Sequence, residues 1–210
     1  MKSLKTPIDT ATWFKKASMT KDAILHLIEN TLQPETDLEW QLILHPEFQN
    51  GLLWGVPRYG HPEGEIYKHI REVLDNIDRL SIDPITRERL RIITFLHDTF
   101  KHQEDKFRPR DWSKHHAVLA RQFAEQFIDD SVVLEIIELH DEAYYCWRMK
   151  HLYQQQDAGT HRLRKLLARI DDQLQLYYLF FKCDTSTGDK NPAPLIWFEQ
   201  TIPGIELVEL

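Results

Sequence analysis

The chain has 210 residues, of which 42% are hydrophobic, and its 26 Lys and Arg against 33 Asp and Glu give a formal net charge of −7. This length provides a large core for one domain, or for one domain with an extension. Affinity for a phosphate backbone comes mainly from Lys and Arg, so the acidic balance argues against a general binder of duplex nucleic acid. Seven glycines are too few for an all-β chain with many tight turns, and they also argue against a Gly-rich phosphate loop.

Neither the cysteines nor the apolar segments indicate secretion or a membrane location. Cys146 and Cys183 are too few for a disulfide scaffold or a four-thiolate zinc site. The first residues lack the apolar run of a signal peptide, and residues 177–181, among the longest apolar runs, fall far short of the ~20 residues that cross a bilayer. We therefore expect a cytoplasmic protein with no membrane partner.

Apolar residues recur every three or four positions along most of the chain, which is typical of amphipathic helices. Thr20 is the expected cap of the first helix, Pro62 stands in the first turn of a later one, and Asp83 precedes a proline that opens the next. Further candidate caps are Asp111 or Ser113, and Asp130 or Ser131. In chain order, helices are predicted at about residues 21–32, at the start of 38–59, and at 62–80, 83–101, 112–128, 130–152 and 161–182.

The chain after Asp184 contains three prolines and is predicted to be irregular, with a short strand at residues 205–208 as the one candidate exception. We therefore predict an all-α protein that forms one structural domain. Its functional core is expected at residues 60–190. An N-terminal helical extension, residues 1–59, would pack on that core, and residues 191–210 would form the Pro-containing tail.

Four histidines stand on the apolar faces of four predicted helices. They are His69, His97, His116 and His140. Each lies three or four residues from apolar positions, and residues at that spacing share a helix face. A single buried histidine is ordinarily a core residue with a hydrogen bond. Four of them would be costly without a common partner, because buried polar groups need one, and a metal ion would supply it.

Two of these histidines are followed directly by aspartate, in the pairs His97-Asp98 and His140-Asp141. Adjacent helical residues point about 100° apart, so both members of a pair reach one ion only if it lies between them. Imidazole together with carboxylate suits Mn, Fe, Co, Ni or Zn. Asp184 is a further candidate carboxylate. Because these residues are far apart in sequence, a purely structural role for any one histidine remains an alternative.

In their order, His69, the pair His97-Asp98 and Asp184 resemble the HD superfamily of metal-dependent phosphohydrolases. Residues 61–69 (HPEGEIYKH) resemble the segment around the first ligand in the HD domains of bacterial CCA-adding enzymes. Residues 95–101 (FLHDTFK) are similar to the family's apolar-apolar-His-Asp-x-Gly-Lys stretch, with a phenylalanine in place of the glycine. Two other segments resemble the family. They are residues 112–128, with His116 and small residues, and residues 183–188, which are similar to its closing Ala-Asp segment with a downstream glycine. The resemblance covers about residues 60–190 and implies an HD-type helical bundle. Because nothing before Gly60 resembles a nucleotidyltransferase, we expect a stand-alone HD protein.

The resemblance also implies a set of ligands for one divalent ion, with Mg as a further candidate metal. These ligands are His69, His97, Asp98 and Asp184. Asp98 would in addition take a proton from the attacking water, and Asp184 is the second candidate for that role. One ion is favoured. In the two-ion alternative, His116 and His140 bind the second ion and Asp98 bridges the two.

The candidate catalytic and substrate-binding groups are Asp98, Lys101, His116, His140 and Arg148. Lys101 would hold a phosphate oxygen or orient Asp98, and its alternative is a solvated lysine near a helix end. In one-ion members of the family, the equivalents of His116 and His140 contact the phosphate or protonate the leaving oxygen. Arg148 would bind a phosphate or be a surface arginine beside packed aromatic rings. Asp141 is a candidate for orienting His140.

The expected function is hydrolysis of a small phosphomonoester or phosphodiester by metal-activated water, with a nucleotide as the favoured substrate. Two other classes stay open. One is a non-catalytic HD-fold module that binds a nucleotide or a protein, and the other is a two-iron HD oxygenase. The expected partner is thus a small phosphorylated molecule, and the oligomeric state is left open.

Overall fold

The computed structural model describes residues 19–105, 107 and 109–210. The first 18 residues of the predicted N-terminal extension lie outside this part. Within it the chain forms helices and no strand, and an isolated antiparallel bridge joins Arg58 and His61. The α-helices are α1 (Lys21–Leu32), α2 (Asp37–Leu44), α3 (Pro46–Leu52), α4 (Ile66–Ile77), α5 (Pro84–Leu96), α6 (His116–Ala124), α7 (Ser131–Leu139), α8 (Glu142–His151), α9 (Gln156–Arg169), α10 (Leu174–Thr185) and α11 (Ala193–Thr201). The prediction of an all-α protein is confirmed.

Two helices are shorter than predicted. The helix expected over residues 62–80 is α4, so Pro62 lies in the preceding loop rather than in a first turn. The helix expected over residues 83–101 is α5. It keeps the predicted cap, because the Asp83 carboxylate accepts two backbone N–H groups of the first turn, but it ends at Leu96.

Two further predicted helices are each divided in two. The stretch 130–152 forms α7 and α8, with the break at His140-Asp141. The stretch 161–182 contains the end of α9 and most of α10, with a 3-10 turn at Asp171–Gln173 between them. Asp171 and Asp172 stand at this second break, and short aspartate side chains compete with helical backbone bonds.

Helix starts also differ from prediction at two places. Residues 38–59 contain two helices, α2 except for its first residue and all of α3. The two are separate because His45 precedes a proline and is held in extended backbone. Asp111 caps a 3-10 turn, Trp112–Lys114, and α6 is capped instead by the side chain of His115.

The C-terminal tail is not irregular throughout, since it contains α11. Prolines at the start of this helix stand where no intrahelical N–H bond is needed, so they favour its formation. Phe198 of α11 is fully buried against the rings of Tyr177 and Phe181 in α10. The candidate strand at residues 205–208 does not form.

Helix α5 is central to the core and packs against α4, α7 and α10. Helix α4 packs between α1 and α5 and buries apolar side chains that include Ile66, Ile70 and Val73. Removing a side chain such as Ile70 or Val73 from water contributes about 1.5–3 kcal/mol. In the described part of the chain, no helix combines the length and the apolar character needed to cross a membrane.

A buried ion pair ties α2 to α5. The Arg91 guanidinium and the Glu39 carboxylate, 2% and 1% exposed, form two parallel bonds of 2.8 and 2.9 Å. Arg91 also donates to the Gln33 carbonyl and lies 3.0 Å from a carboxylate oxygen of Glu35. Because two charges removed from water need close mutual pairing, this contact fixes how the N-terminal helices sit on the core.

A second contact joins the N-terminal helices to the segment that follows the His97-Asp98 pair. At Gly51 in α3, a Cβ would lie 1.9 Å from the carbonyl oxygen of Thr99. Only glycine allows α3 to approach that backbone so closely. The described part of the extension therefore supports the turn that carries Asp98.

We expect Glu39→Ala to lower the free energy of unfolding by about 3 kcal/mol, because it leaves the buried Arg91 without its main counter-charge. Urea denaturation followed by circular dichroism measures this loss. The control is Asp75→Ala, which removes an ion pair whose carboxylate is 64% exposed and should change stability by less than about 0.5 kcal/mol. Equal midpoints for the two variants would contradict the structural role of the buried pair.

Candidate metal centre

Both His-Asp pairs lie where a helix ends. α5 ends at Leu96 and α7 ends at Leu139, so each histidine is the first residue past its helix and each aspartate lies in the following turn. The turn allows the two side chains of a pair to reach one centre, although adjacent residues within a helix diverge. The phenylalanine that replaces the family's glycine, Phe100, has an ordinary φ of −97°. It packs its ring 4.9 Å from that of Phe123.

A first group of side chains contains His69, His97, Asp98 and Asp184. The Nε2 atoms of His69 and His97 are 3.4 Å apart, and both are fully buried. The Oδ1 atom of Asp184 lies 2.9 Å from Nε2 of His69 and 3.6 Å from Nε2 of His97. Asp98 turns its Oδ2 to the same two nitrogens, at 3.7 and 3.5 Å. Four residues from α4, α10 and the turn after α5 therefore face one point.

A second group lies on the other side of Asp98. Its Oδ1 atom is 3.5 Å from Nε2 of His116 and 3.4 Å from Nε2 of His140. These two nitrogens are 3.2 Å apart. The carboxylate of Asp98 thus turns one oxygen toward each histidine pair. Three ligand atoms in each group lie close enough together to hold a metal ion.

Backbone carbonyls fix the orientation of two of the four imidazoles. Nδ1–H of His97 donates to the Thr94 carbonyl at 2.9 Å, and Nδ1–H of His140 donates to the Ile137 carbonyl at 2.8 Å. The proton on Nδ1 leaves Nε2 with its lone pair directed at the centre. This is the arrangement in which metal-binding histidines are ordinarily held.

The donor set fits a divalent cation. Oδ1 of Asp98 is buried and makes no hydrogen bond within the described residues, although a buried carboxylate oxygen ordinarily has a partner. The Nε2 atoms of His116 and His140 face it, and imidazole together with carboxylate suits Mn, Fe, Co, Ni or Zn. A cation between Asp98 and the imidazoles would satisfy this oxygen and the surrounding lone pairs together.

The carboxylates of the centre are ionised. Burial alone would raise the pKa of Asp98, but the charges of Lys101 and His97 hold that pKa well below its ordinary value. Burial likewise opposes ionisation of Asp184, and Lys190 lowers its pKa well below the usual range. Burial lowers the pKa of His69 to about 4, and the Lys190 charge acts in the same direction. The centre thus offers anionic oxygens and, at His69, the neutral imidazole that a metal needs. Burial opposes the charged form of His97, but the neighbouring Asp98 and Asp184 raise its pKa to about 9. Burial also opposes the charged form of His116, and Asp98 and Glu104 raise its pKa.

Three residues of the centre were not predicted from the sequence. Glu63 lies between the rings of His61 and His69, at 2.9 and 3.5 Å from a ring nitrogen of each. Glu104 and His115 lie beside His116, with Oε2 of Glu104 3.4 Å from Nδ1 of His116. Both glutamates come from loops, where no periodic pattern marks them.

Of the two adjacent histidines, the sequence pattern favours His116 over His115, because the residues three, four, seven and eight positions after His116 are all apolar or small. That interpretation assumes a helix through both residues. Since α6 begins at His116, His115 lies in extended backbone and its side chain points to the same buried region, 5% exposed. A helix start placed at the histidine pair would have predicted both.

Asp141 does not lie where a residue that orients His140 would be expected. It was a candidate for orienting His140, but the Nδ1 atom of that ring is already bonded to a backbone carbonyl. The Oδ2 atom of Asp141 lies 3.4 Å from Nε2 of His116 and 3.9 Å from Nε2 of His140, on the inner side of the centre. Burial opposes its ionisation, but the charges of His140, His116 and Lys101 lower the pKa of Asp141 to about 2.

A cavity of about 380 Å³ opens onto the centre. Its lining includes the ligand candidates Asp98, His140 and Asp184, and also Lys101 and Arg148. Lys101 forms an ion pair with Oδ2 of Asp98 and keeps 17% of its side chain exposed. Arg148 is half-buried, with its guanidinium 5.0 Å from the ring centre of Tyr153. The structure therefore brings every predicted site residue to the centre or to its cavity.

Comparison with known proteins identifies one family. The family model of the HD domain matches residues 66–171, which is half of the chain. This range includes His69, His97-Asp98, His116 and His140, whereas Asp184 lies beyond its end. No curated protein and no solved structure matches the chain.

We expect Asp98→Asn to remove bound metal, because the amide supplies neither the charge nor the second anionic oxygen that the two groups share. Elemental analysis of the purified protein measures the loss, and circular dichroism checks that the helices remain. His26→Ala, at an exposed histidine of α1, is the matched control and should keep its metal. Full metal content in Asp98→Asn would refute the ligand role of this carboxylate.

Proposed function

The chain belongs to the HD domain family, a family of metal-dependent phosphohydrolases, and we propose that it hydrolyses a small phosphorylated molecule. One observation carries the proposal. The buried Asp98 carboxylate turns one oxygen to the pair His69 and His97 and the other, without a hydrogen bond in the described residues, to the pair His116 and His140. An oxygen left in this state inside a protein is best explained by a cation that binds it.

The sequence favoured one ion, and the structure supports a proposal of two. In this assignment His69, His97, Asp98 and Asp184 hold the first ion. Asp98 also reaches the second, together with His116 and His140. Bound divalent ions lower the pKa of water from about 15.7 toward ~7 and stabilise charge on a phosphoryl group.

The side chains around the cavity have separate roles in the proposal. Lys101 reaches the cavity from beside Asp98 and donates to a phosphate oxygen there. Arg148, which also lines the cavity, binds a further oxygen. Asp184, 20% exposed, is the carboxylate of the first group most open to the cavity and is a candidate to accept a proton from water.

The substrate that we propose is a nucleotide or a phosphate ester of similar size. A cavity of about 380 Å³ is in the usual range for small-molecule sites. Arg58 and Lys190 line it in addition to Lys101 and Arg148. Four cationic side chains around a small cavity, in a chain of net charge −7, favour an anionic ligand over duplex nucleic acid.

A two-iron oxygenase is the second candidate, because two histidine pairs that share one carboxylate also suit two irons. The cationic cavity wall favours the hydrolase. Elemental analysis together with the visible spectrum separates the two, since two irons with visible absorbance would support the oxygenase. A metal-free protein with no hydrolytic activity would instead support a non-catalytic binding module.

We expect Lys101→Met to lower kcat/KM for p-nitrophenyl phosphate about 10- to 100-fold, the effect of losing one charge-assisted hydrogen bond. Metal content should be unchanged, because lysine is not a ligand here. The comparison variant is Lys114→Met, at a lysine that is 57% exposed and does not line the cavity.

The test compares the phosphatase activity and the metal content of Lys101→Met with those of Lys114→Met. Equal activity of the Lys101 and Lys114 variants would exclude the phosphate role of Lys101. Absence of phosphatase activity in the metal-loaded wild type, across aryl phosphates, nucleotides and cyclic nucleotides, would overturn the proposed function.

A further inference from the structure

A chain of hydrogen bonds runs from the start of α6 to the second histidine pair and determines its own proton positions. The N–H group of Ala117 donates to Nδ1 of His115 at 3.2 Å. Since Nδ1 accepts, the single proton of the neutral ring must be on Nε2. Nε2–H of His115 then donates to the hydroxyl oxygen of Tyr145, which is 3.0 Å away.

The same logic sets the direction of the next bond. Because the Tyr145 oxygen accepts from His115, its own proton is free to point elsewhere, and the acceptor within reach is Oδ2 of Asp141 at 3.4 Å. The chain therefore ends at a carboxylate oxygen. That oxygen is the one that lies 3.4 Å from Nε2 of His116 and 3.9 Å from Nε2 of His140.

We propose that Asp141 is a fourth ligand of the second ion, beside Asp98, His116 and His140, and that Tyr145 and His115 are positioning residues that hold its carboxylate in place. The inference rests on the two-ion form of the proposed function. The ligand set implied by the family resemblance does not include Asp141. The residue lies directly after His140, in the break between α7 and α8, so the turn gives both side chains access to one ion.

The residues around these hydrogen bonds hold the side chains of His115 and Tyr145 in a fixed geometry. His115 is 5% exposed, and the indole of Trp112 stacks on its ring at 5.7 Å. The guanidinium of Arg162 lies over the ring of Tyr145, 4.8 Å from its centre. A ligand carboxylate held by such an outer partner binds metal more tightly, and loss of the partner typically costs 10- to 100-fold in affinity, as an order of magnitude.

The test uses the full chain, stripped of metal and titrated with Mn²⁺ alone in a calorimeter. Wild type is expected to bind two Mn²⁺ per chain. Asp141→Asn should bind the first with unchanged affinity and lose the second, and Tyr145→Phe should weaken the second about 10-fold. Electron paramagnetic resonance provides a second readout, because two neighbouring Mn²⁺ ions give a coupled spectrum that Asp141→Asn should lose.

The matched control is Tyr144→Phe, on the same helix as Tyr145. The Tyr144 hydroxyl makes no hydrogen bond within the described part of the chain, and its removal should leave both Mn²⁺ affinities unchanged. Circular dichroism of each variant shows whether the helices are retained. His115→Asn serves as the second probe if Tyr145→Phe does not fold, with the same expected weakening.

The outcomes separate this inference from the proposed function. Two Mn²⁺ per chain with equal affinities in wild type and Asp141→Asn would overturn the role of Asp141 and leave the hydrolase proposal intact. A wild type that binds only one ion would also overturn it. Two ions, with the second lost in Asp141→Asn, but no hydrolysis of any phosphate ester would support the ligand and refute the hydrolase.

Discussion

The buried carboxylate of Asp98 is the constraint around which the centre is organised. It lies next to the apolar core, 2% exposed, with one oxygen toward each of two histidine pairs. An ionised carboxylate in such a place is costly unless charge and hydrogen bonds surround it. Lys101 supplies one charge and the imidazoles supply nitrogens that face its oxygens, but Oδ1 is left without a hydrogen bond in the described residues. The fold therefore holds a strong anionic acceptor in a position that a cation would stabilise.

Helix ends, rather than helix faces, bring this acceptor and its neighbours together. α5 and α7 both stop one residue before a histidine, and the turn that follows carries an aspartate. Nδ1–H of each histidine then donates to a carbonyl of the last helical turn. The free carbonyls at a helix C-terminus need donors in any case. One bond thus satisfies the helix end and directs Nε2 inward, so the local structure and the proposed chemistry depend on the same atoms.

The apolar spacing was enough to predict an all-α fold and to find the four histidines, because burial imposes the spacing whatever the function. It could not predict where helices stop. At His140-Asp141 the apolar pattern continues without interruption, so periodicity gives no sign of the break between α7 and α8. The same limit applies to His115, whose buried position depends on α6 starting one residue later, at His116. Glu63 and Glu104 lie in loops, and loop residues reach a site through chain geometry that no periodicity encodes.

The order of the ligands along the chain, in contrast, placed Asp184 in one ligand set with His69 through the family resemblance, which helix periodicity alone does not do. Asp184 lies 115 residues after His69, beyond the range that the HD family model matches, yet their side chains are 2.9 Å apart. Two loops hold it there. Lys190 donates to both the carbonyl and the carboxylate of Asp184, and Gly188 packs so closely on Pro62 that a Cβ would lie 2.8 Å from that ring. The loop after α10 is thereby fixed to the loop before α4, which places the last carboxylate against the first histidine. The order of ligands in the family therefore predicts the contact between His69 and Asp184. Helix spacing does not predict this contact, and the range matched by the family model does not include Asp184.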